Sequence, residues 1–263
     1  MSMLKNKRHH EILQILKQEG FAEVRSLGER LYASQPTIRR DLDFLEKQGY
    51  IKRSYGGAML ANDKADTPIS FRKGTKAREK AHICKLAATL ITPGSLVFAD
   101  ASTTVSHLSA YIQKNDNITV VTNGYYLCNL LSENDIKVFS TGGRLLKNSM
   151  AFVGSVAEET VGRFNADILF FSSSSIDSNG LISDYSEEET SLRSAMKSGT
   201  RKSVFLCDSS KFNKSSAYRV FLLSDVNYTV TDAPLSHELI EKHGLSLISE
   251  GDGAFLYEKK DNN

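Results

Sequence analysis

Two sets of residues in this 263-residue chain have types and spacings that could do chemistry. The first is basic and hydroxylic. "SQPTIRRDLDFL", Ser34 to Leu45, places Ser34, Gln35 and Thr37 just before the adjacent Arg39 and Arg40, and Lys47 follows. "YIKRSYGGA", Tyr50 to Ala58, adds Lys52 and Arg53. Guanidinium forks fit phosphates and guanine edges, and hydroxyls fit either, so this set suits double-stranded DNA. The second set is a series of small polar clusters. They are Asp100 to Thr104 (with Ser102, Thr103), Thr122–Asn123, Thr141 to Gly143 (with Gly142), Ser172 to Ser175 (with Ser174), and Asp208 to Lys211. Hydroxyls, backbone amides at helix N-termini and the lysine suit a phosphate or the hydroxyls of a sugar. Ser, Thr and Gly are also ordinary turn formers. Five such clusters, each closing an apolar run, favour a ligand site over chance.

The first set needs a helix that packs by one face. Ser34 is a good N-cap, Pro36 falls in the first turn, and Gly49 is the expected stop. Ile38, Leu42 and Leu45 recur at i, i+4 and i+7 as one apolar stripe. Pro36, Arg40, Asp43 and Lys47 then point away from it, with Thr37 and Arg39 on its flanks. Upstream, Ile12, Leu13, Ile15 and Leu16 mark a helix that ends at Gly20, and "VRSLGERLY" a second, short one with Leu27 and Leu31 inward. Short helices joined by the tight turn "AS" form a helix-turn-helix. The alternation in "YIKRSYGGA", closed by Gly56–Gly57, predicts a hairpin wing that brings Lys52 and Arg53 to the duplex backbone. Residues 1–60 hold 11 Lys+Arg against 7 Asp+Glu, a net of +4, whereas the chain nets +2, so the remainder carries −2. Basic charge is concentrated where phosphates would be met.

The second set needs a sheet. From Thr75, "REKAHICKLAATLI" reads as a helix, "SLVFAD" as a strand, "ASTTVSHLSAYI" as a helix, "NITVVTN" as a strand and "GYYLCNLLSE" as a helix. The alternation continues to "KSVFLCDSS" and predicts an α/β domain with a largely parallel sheet, whose ligands bind at the carboxyl ends of the strands. The expected division is a winged helix-turn-helix over 1–58, a linker over 59–74 and an α/β effector-sensing and oligomerisation domain over 75–263. No apolar run approaches membrane-spanning length and the N-terminus lacks a signal-peptide core, so the chain is expected in the cytoplasm, off the membrane. Cys84, Cys128 and Cys207 lie apart in apolar runs and read as buried thiols; no metal or cofactor is expected.

"TIRRDLDFLEKQGYIKRSYGGA" resembles the signature of the DeoR family of bacterial transcriptional regulators, T-I-R-R-D-L followed by L-x-x-x-G and a closing G-G-A. The match spans Arg8 to Ala58, with Ala33 where the family more often has valine. The resemblance continues in the second half. D-x-G-T-T matches Asp100, Thr103 and Thr104 with Ser102 for glycine, and V-T-N matches Val121 to Asn123. G-G matches Gly142 and Gly143, and D-S-S-K-F matches Asp208 to Phe212. E-A-x-x-K-R-x-M matches Glu189 and Met196, with Arg193 for lysine. The resemblance implies a second domain like ribose-5-phosphate isomerase and CoA transferases. It also implies a repressor of a carbohydrate-catabolism operon, released or recruited by a phosphorylated sugar or related metabolite. Asp184, Glu189, Ser174 and Ser175 join the expected effector set. Ser172 to Ser175 stand where the family often has glycines, which should narrow the pocket. The rival expectation is an isomerase- or transferase-like enzyme using Asp100, Asp184, Glu187, Glu188, Glu189 or Asp208 as a base; fusion to a DNA-reading module makes sensing simpler. One helix-turn-helix reads too few base pairs for specific affinity, so a dimer or tetramer is expected.

Overall fold

A computed structural model describes residues 2–48, 50–54, 56–60 and 69–260. The chain forms two compact units, 1–74 and 75–263. The expected helix stop at Gly49 and most of the expected linker, 61–68, lie outside the described residues.

The first unit runs α1 (Ser2–Glu19), β1 (Phe21–Glu23), α2 (Val24–Arg30), α3 (Gln35–Lys47), β2 (Ile51–Ser54), β3 (Gly57–Leu60) and α4 (Ile69–Gly74). Ile12 and Leu16 of α1, Leu27 of α2, and Ile38, Leu42 and Leu45 of α3 make its core with Ile51 and Ala58. The predicted stripe is therefore the buried one. Ser34 caps α3: its hydroxyl accepts the Thr37 N–H at 3.4 Å and lies 2.8 Å from the Thr37 hydroxyl. Gly28 is fixed by the turn, because a Cβ there would sit 2.9 Å from the Ala33 carbonyl oxygen. The wing is a three-stranded sheet in the order β1-β3-β2. Three residues are too few to show alternation, so β1 has no sequence signature; pairing with β3 creates it. Met59 and Leu60 lie in β3 and 69–74 in α4, rather than in a linker.

One carboxylate does not follow the pattern. Asp41 is 1% exposed on α3. It accepts from Arg8 Nε at 2.5 Å and lies 2.9 Å from His9 Nε2, both on α1. His9 stacks on Phe44 at 4.9 Å between ring centroids.

The second unit runs α5 (Ala77–Ala87), β4 (Leu96–Ala99), β5 (Thr119–Thr122), α6 (Tyr125–Glu133), β6 (Lys137–Ser140), β7 (Arg144–Leu145), β8 (Phe152–Val153), α7 (Ser155–Val161) and β9 (Ala166–Phe171). It continues with β10 (Ser175–Ile176), β11 (Leu181–Asp184), α8 (Glu187–Ser198), β12 (Thr200–Cys207), β13 (Tyr218–Leu222), β14 (Tyr228–Thr231), α9 (His237–His243), β15 (Leu245–Gly251) and β16 (Ala254–Lys259). Its main sheet has eight strands, β15-β16-β14-β12-β9-β4-β5-β6. From β14 to β6 all pairs are parallel, and β16 and β15 add an antiparallel edge. Successive strand residues enter opposite cores: Val97 and Phe170 face one, Phe98, Leu169 and Phe171 the other. Burial on both faces is why these strands read as unbroken apolar runs. Strands β10, β11 and β13 form a separate small sheet.

The predicted helix over "ASTTVSHLSAYI" is instead a 3₁₀ helix over Val105–Ala110. The Ser106 hydroxyl donates to the Thr103 carbonyl and the Ser109 hydroxyl to that of Ser106, each at 2.8 Å. Such i−3 bonds favour the tighter turn. Cys84 and Cys207 are buried free thiols, and burial pushes both well above the usual thiol range; Cys128 is half-buried. Among the described residues, no helix is long and apolar enough to cross a membrane.

The Asp41 clamp has a measurable weight. Asp41→Ala leaves Arg8 without its main charge partner and should cost roughly 2–3 kcal/mol. Chemical denaturation of the full chain, followed by a probe in the first unit, should show it. An unchanged first-unit transition would remove the clamp from the account.

Candidate functional site

The first candidate surface is built on α3. Gln35, Arg39, Arg40 and Lys47 are exposed, Ser34 is exposed while capping, and Thr37 is half-buried. Arg39 and Arg40 have no ion-pair partner among the described residues, so their guanidinium donors face solvent. Lys52 is exposed on the wing. Arg53 is turned differently: its Nη1 donates to Asp43 Oδ1 at 2.5 Å and its N–H to Glu46 Oε1 at 2.9 Å. It braces the wing against α3 rather than standing free for a duplex.

The second lies on the rim of the main sheet. Because β12, β9, β4, β5 and β6 are adjacent and parallel, their carboxyl ends lie side by side. Asp208, Ser172, Asp100, Thr122–Asn123 and Thr141–Gly143 follow these ends in that order.

A buried ion network occupies one part of this rim. Arg193 of α8, 4% exposed, donates from Nε to Asp100 Oδ2 at 2.9 Å and from Nη1 to Asp184 Oδ2 at 2.8 Å. Its Nη2 reaches Glu189 Oε2 at 3.3 Å, one turn back along the helix. Burial opposes the charge on Arg193, but the three carboxylates outweigh it and hold its pKa above the ordinary value. Asp100 is fully engaged: its Oδ1 accepts the Ser102 N–H (3.0 Å) and its Oδ2 also accepts the Ser172 N–H (3.2 Å). Asp184 takes the hydroxyls of Ser174 (2.7 Å) and Ser173 (3.2 Å). Asp100, Asp184 and Ser174, all in the expected effector set, are thus engaged in this network.

Ammonium groups define the other part. Lys211 Nζ donates to the Ser172 hydroxyl at 2.7 Å and lies 3.5 Å from the Thr104 hydroxyl and 3.8 Å from Asp208 Oδ2. Lys80 of α5, 3% exposed, donates to the Thr103 hydroxyl at 3.1 Å. The "STT" turn therefore lies between two lysines. Burial raises the Asp208 pKa, but Lys211, the Ser210 hydroxyl and Lys80 more than reverse this and hold it below 3.8. The positive charge here comes from these lysines and not from a helix end, since the element after Thr104 is a short 3₁₀ turn.

The other expected residues divide clearly. Asn123 donates its amide to the Phe152 carbonyl at 3.1 Å, while its buried Oδ1 has no partner among the described residues. Ser102 is half-buried and its hydroxyl accepts the Val105 N–H. Thr122 is fully buried and its hydroxyl accepts the Gly124 N–H, so it holds the turn. Ser175 is buried, with its hydroxyl 3.0 Å from that of Ser183 and 2.5 Å from that of Ser216, which places it in the small sheet and not on the rim. Gly142 has φ +63° and Gly143 φ +102°, and a Cβ on Gly143 would lie 2.6 Å from the Val153 carbonyl oxygen. Among the described residues, no cluster of His, Cys, Asp or Glu could hold a metal ion.

A winged helix-turn-helix with an unpaired arginine face, carried on the same chain as an α/β unit, defines a DNA-binding regulator. Residues 8–64 match the DeoR-like helix-turn-helix domain and residues 75–233 the DeoR C terminal sensor domain. The chain belongs to the DeoR family of transcriptional regulators. It is 34% identical over 249 residues to the L-fucose operon activator of Haemophilus influenzae, covering 92% of this chain and 99% of that one. It is 30% identical over 233 residues to the glycerol-3-phosphate regulon repressor of Escherichia coli K12, covering 88% and 92%. Among solved structures, ribose 5-phosphate isomerase A of Methanocaldococcus jannaschii aligns with a TM-score of 0.40 at 12% identity, over 70% of this chain and 80% of that one.

Removing Arg193 should be costly because its partners stay behind. Arg193→Met leaves three clustered carboxylates without their cation and should destabilise the second unit by about 3–5 kcal/mol. Arg193→Lys keeps the charge but loses the fork and should fall between it and wild type. Denaturant titration measures both, and a Met variant as stable as wild type would show the network to be dispensable.

Proposed function

We propose that the chain represses a carbohydrate-catabolism operon and that a phosphorylated sugar or related metabolite, bound at the rim, changes its operator affinity. The observation that carries the effector reading is the pair of lysines, Lys80 and Lys211, converging on Thr103 and Thr104 beside Asp208. A buried ammonium and a half-buried one beside the same two hydroxyls suit a phosphate. The relatives named for a glycerol-3-phosphate regulon and an L-fucose operon fit effectors of that size and chemistry. The relatives are named as regulators, and the rim favours binding over catalysis. Asp100, Asp184 and Glu189 are held by Arg193 and Asp208 by Lys211, whereas a general base must be available to take a proton. The protein acts in the cytoplasm, where its DNA is.

The effector reading is tested in two steps. A thermal-shift screen of sugar phosphates and phosphorylated polyols identifies the ligand, since one that binds only the native state raises the midpoint. Calorimetric titration of the Lys211→Ala variant should then show at least tenfold weaker binding, for a charge-assisted bond of ~1.5–3 kcal/mol. Unchanged affinity, or a best ligand without negative charge, would place the site elsewhere.

For DNA, Thr37, Arg39 and Arg40 read the major groove and its flanking phosphates, and Lys52 holds the backbone. Arg40→Ala should cost ~1–3 kcal/mol on the operator and little on random DNA. Lys52→Ala should weaken both and lower the salt slope by about one. The active form is at least a dimer on repeated half-sites, as sedimentation of the protein and its complex should show. Wild-type operator affinity in the Arg39→Ala/Arg40→Ala double variant would sink this placement.

A further inference from the structure

Tyr32, in the turn between α2 and α3, is 98% exposed and has φ +49°. The turn is of Schellman type. Leu31 is the half-helical cap of α2, and the Ala33 N–H donates to the Gly28 carbonyl at 3.0 Å. That bond puts Tyr32 at the left-handed position, where glycine is the usual occupant. A tyrosine there works against the isolated protein twice. Its Cβ crowds the following carbonyl in the left-handed conformation. Its ring, left in water, contributes no burial.

The position supplies the compensation. Tyr32 lies two residues before Ser34, the cap of α3, on the end of the helix that carries Gln35 and Thr37. A recognition helix that enters the major groove by its N-terminal end brings the preceding turn to the lip of the groove, where phosphates run. We propose that Tyr32 is a DNA-backbone contact: its phenol donates to a phosphate oxygen and its ring lies along the adjoining sugar, setting the depth of α3 in the groove. Tyrosine is among the side chains that make such contacts, and they position without reading sequence. The inference rests on the placement of α3 in the major groove.

Three properties separate this role from others. A backbone contact acts on any sequence, so a mixed-sequence duplex three helical turns long serves as the probe. A neutral phenol releases no counterion, so its loss lowers affinity without changing the salt slope, unlike the loss of a lysine. The strained position makes the stability effect opposite in sign to the binding effect. Fluorescence anisotropy with the full-length protein should show about tenfold weaker binding for Tyr32→Phe and at least that for Tyr32→Gly, with the salt slope of wild type. Tyr32→Gly should melt no lower than wild type. Lys52→Ala is measured alongside. If Lys52→Ala binds as wild type does, the placement of the winged helix on DNA is itself wrong. If only the two Tyr32 variants keep wild-type affinity, the contact alone is refuted. Loss of self-association in sedimentation, with DNA affinity intact, would overturn it in favour of a protein contact.

Discussion

A guanidinium sealed from water cannot stand without compensation, and Arg193 is where that constraint acts on the second unit. Its three carboxylates come from a strand end (Asp100), another strand end in a different sheet (Asp184) and its own helix (Glu189). Satisfying one cation therefore ties α8, the main sheet and the small sheet together. The consequences run outward. Asp100, held by Arg193, accepts the N–H groups of Ser102 and Ser172, so two rim turns are set by the same carboxylate. Those turns in turn carry Thr103, Thr104 and the Ser172 hydroxyl that Lys80 and Lys211 touch.

Charge on the rim is segregated rather than summed. Counted together, Asp100, Asp184, Glu189 and Asp208 exceed Arg193, Lys80 and Lys211 by four to three, which would repel an anion. The contacts divide them otherwise. Three carboxylates share Arg193, whereas Lys211 and Lys80 act on Asp208. At short range in a low-dielectric setting the nearest charges dominate. An anion at Thr103 and Thr104 would meet the second group.

Much of this was readable in the sequence where a pattern repeats. Ile38, Leu42 and Leu45 placed α3 and its exposed face, and apolar runs bounded by Ser, Thr and Gly placed the strands and their polar ends. What escaped depends on contacts between distant segments. Lys80 sits in an amphipathic helix, where a lysine reads as solvated; in the fold it is buried and donates to the "STT" turn. Arg193 shows its partner Glu189 at i−4, but Asp100 and Asp184 are brought to it by topology. Asp41 stands between two arginine-rich and apolar positions in "RRDL" and reads as surface until Arg8 and His9 reach it from α1. Ser175 fails in the opposite direction: its hydroxyl suggested a ligand, yet Ser183 and Ser216 use it. Local signals fix elements, and buried polar partners need the fold.

The first unit applies the same logic to a different end. Several strong polar interactions of α3 lie behind it or at its edge: Asp41 to α1, Ser34 to its own first turn, and Asp43 with Glu46 to Arg53 of the wing. These fix the helix in angle and depth. Arg39 and Arg40 are left outside this scheme: Asp43, the carboxylate at i+4 from Arg39 and i+3 from Arg40, is held by Arg53 of the wing instead. A carboxylate paired to either guanidinium would compete with phosphate and would have to be displaced on binding. A rigid, capped helix with uncommitted arginines instead carries its positioning cost in the fold, so the free energy of each new phosphate or base contact goes to DNA affinity.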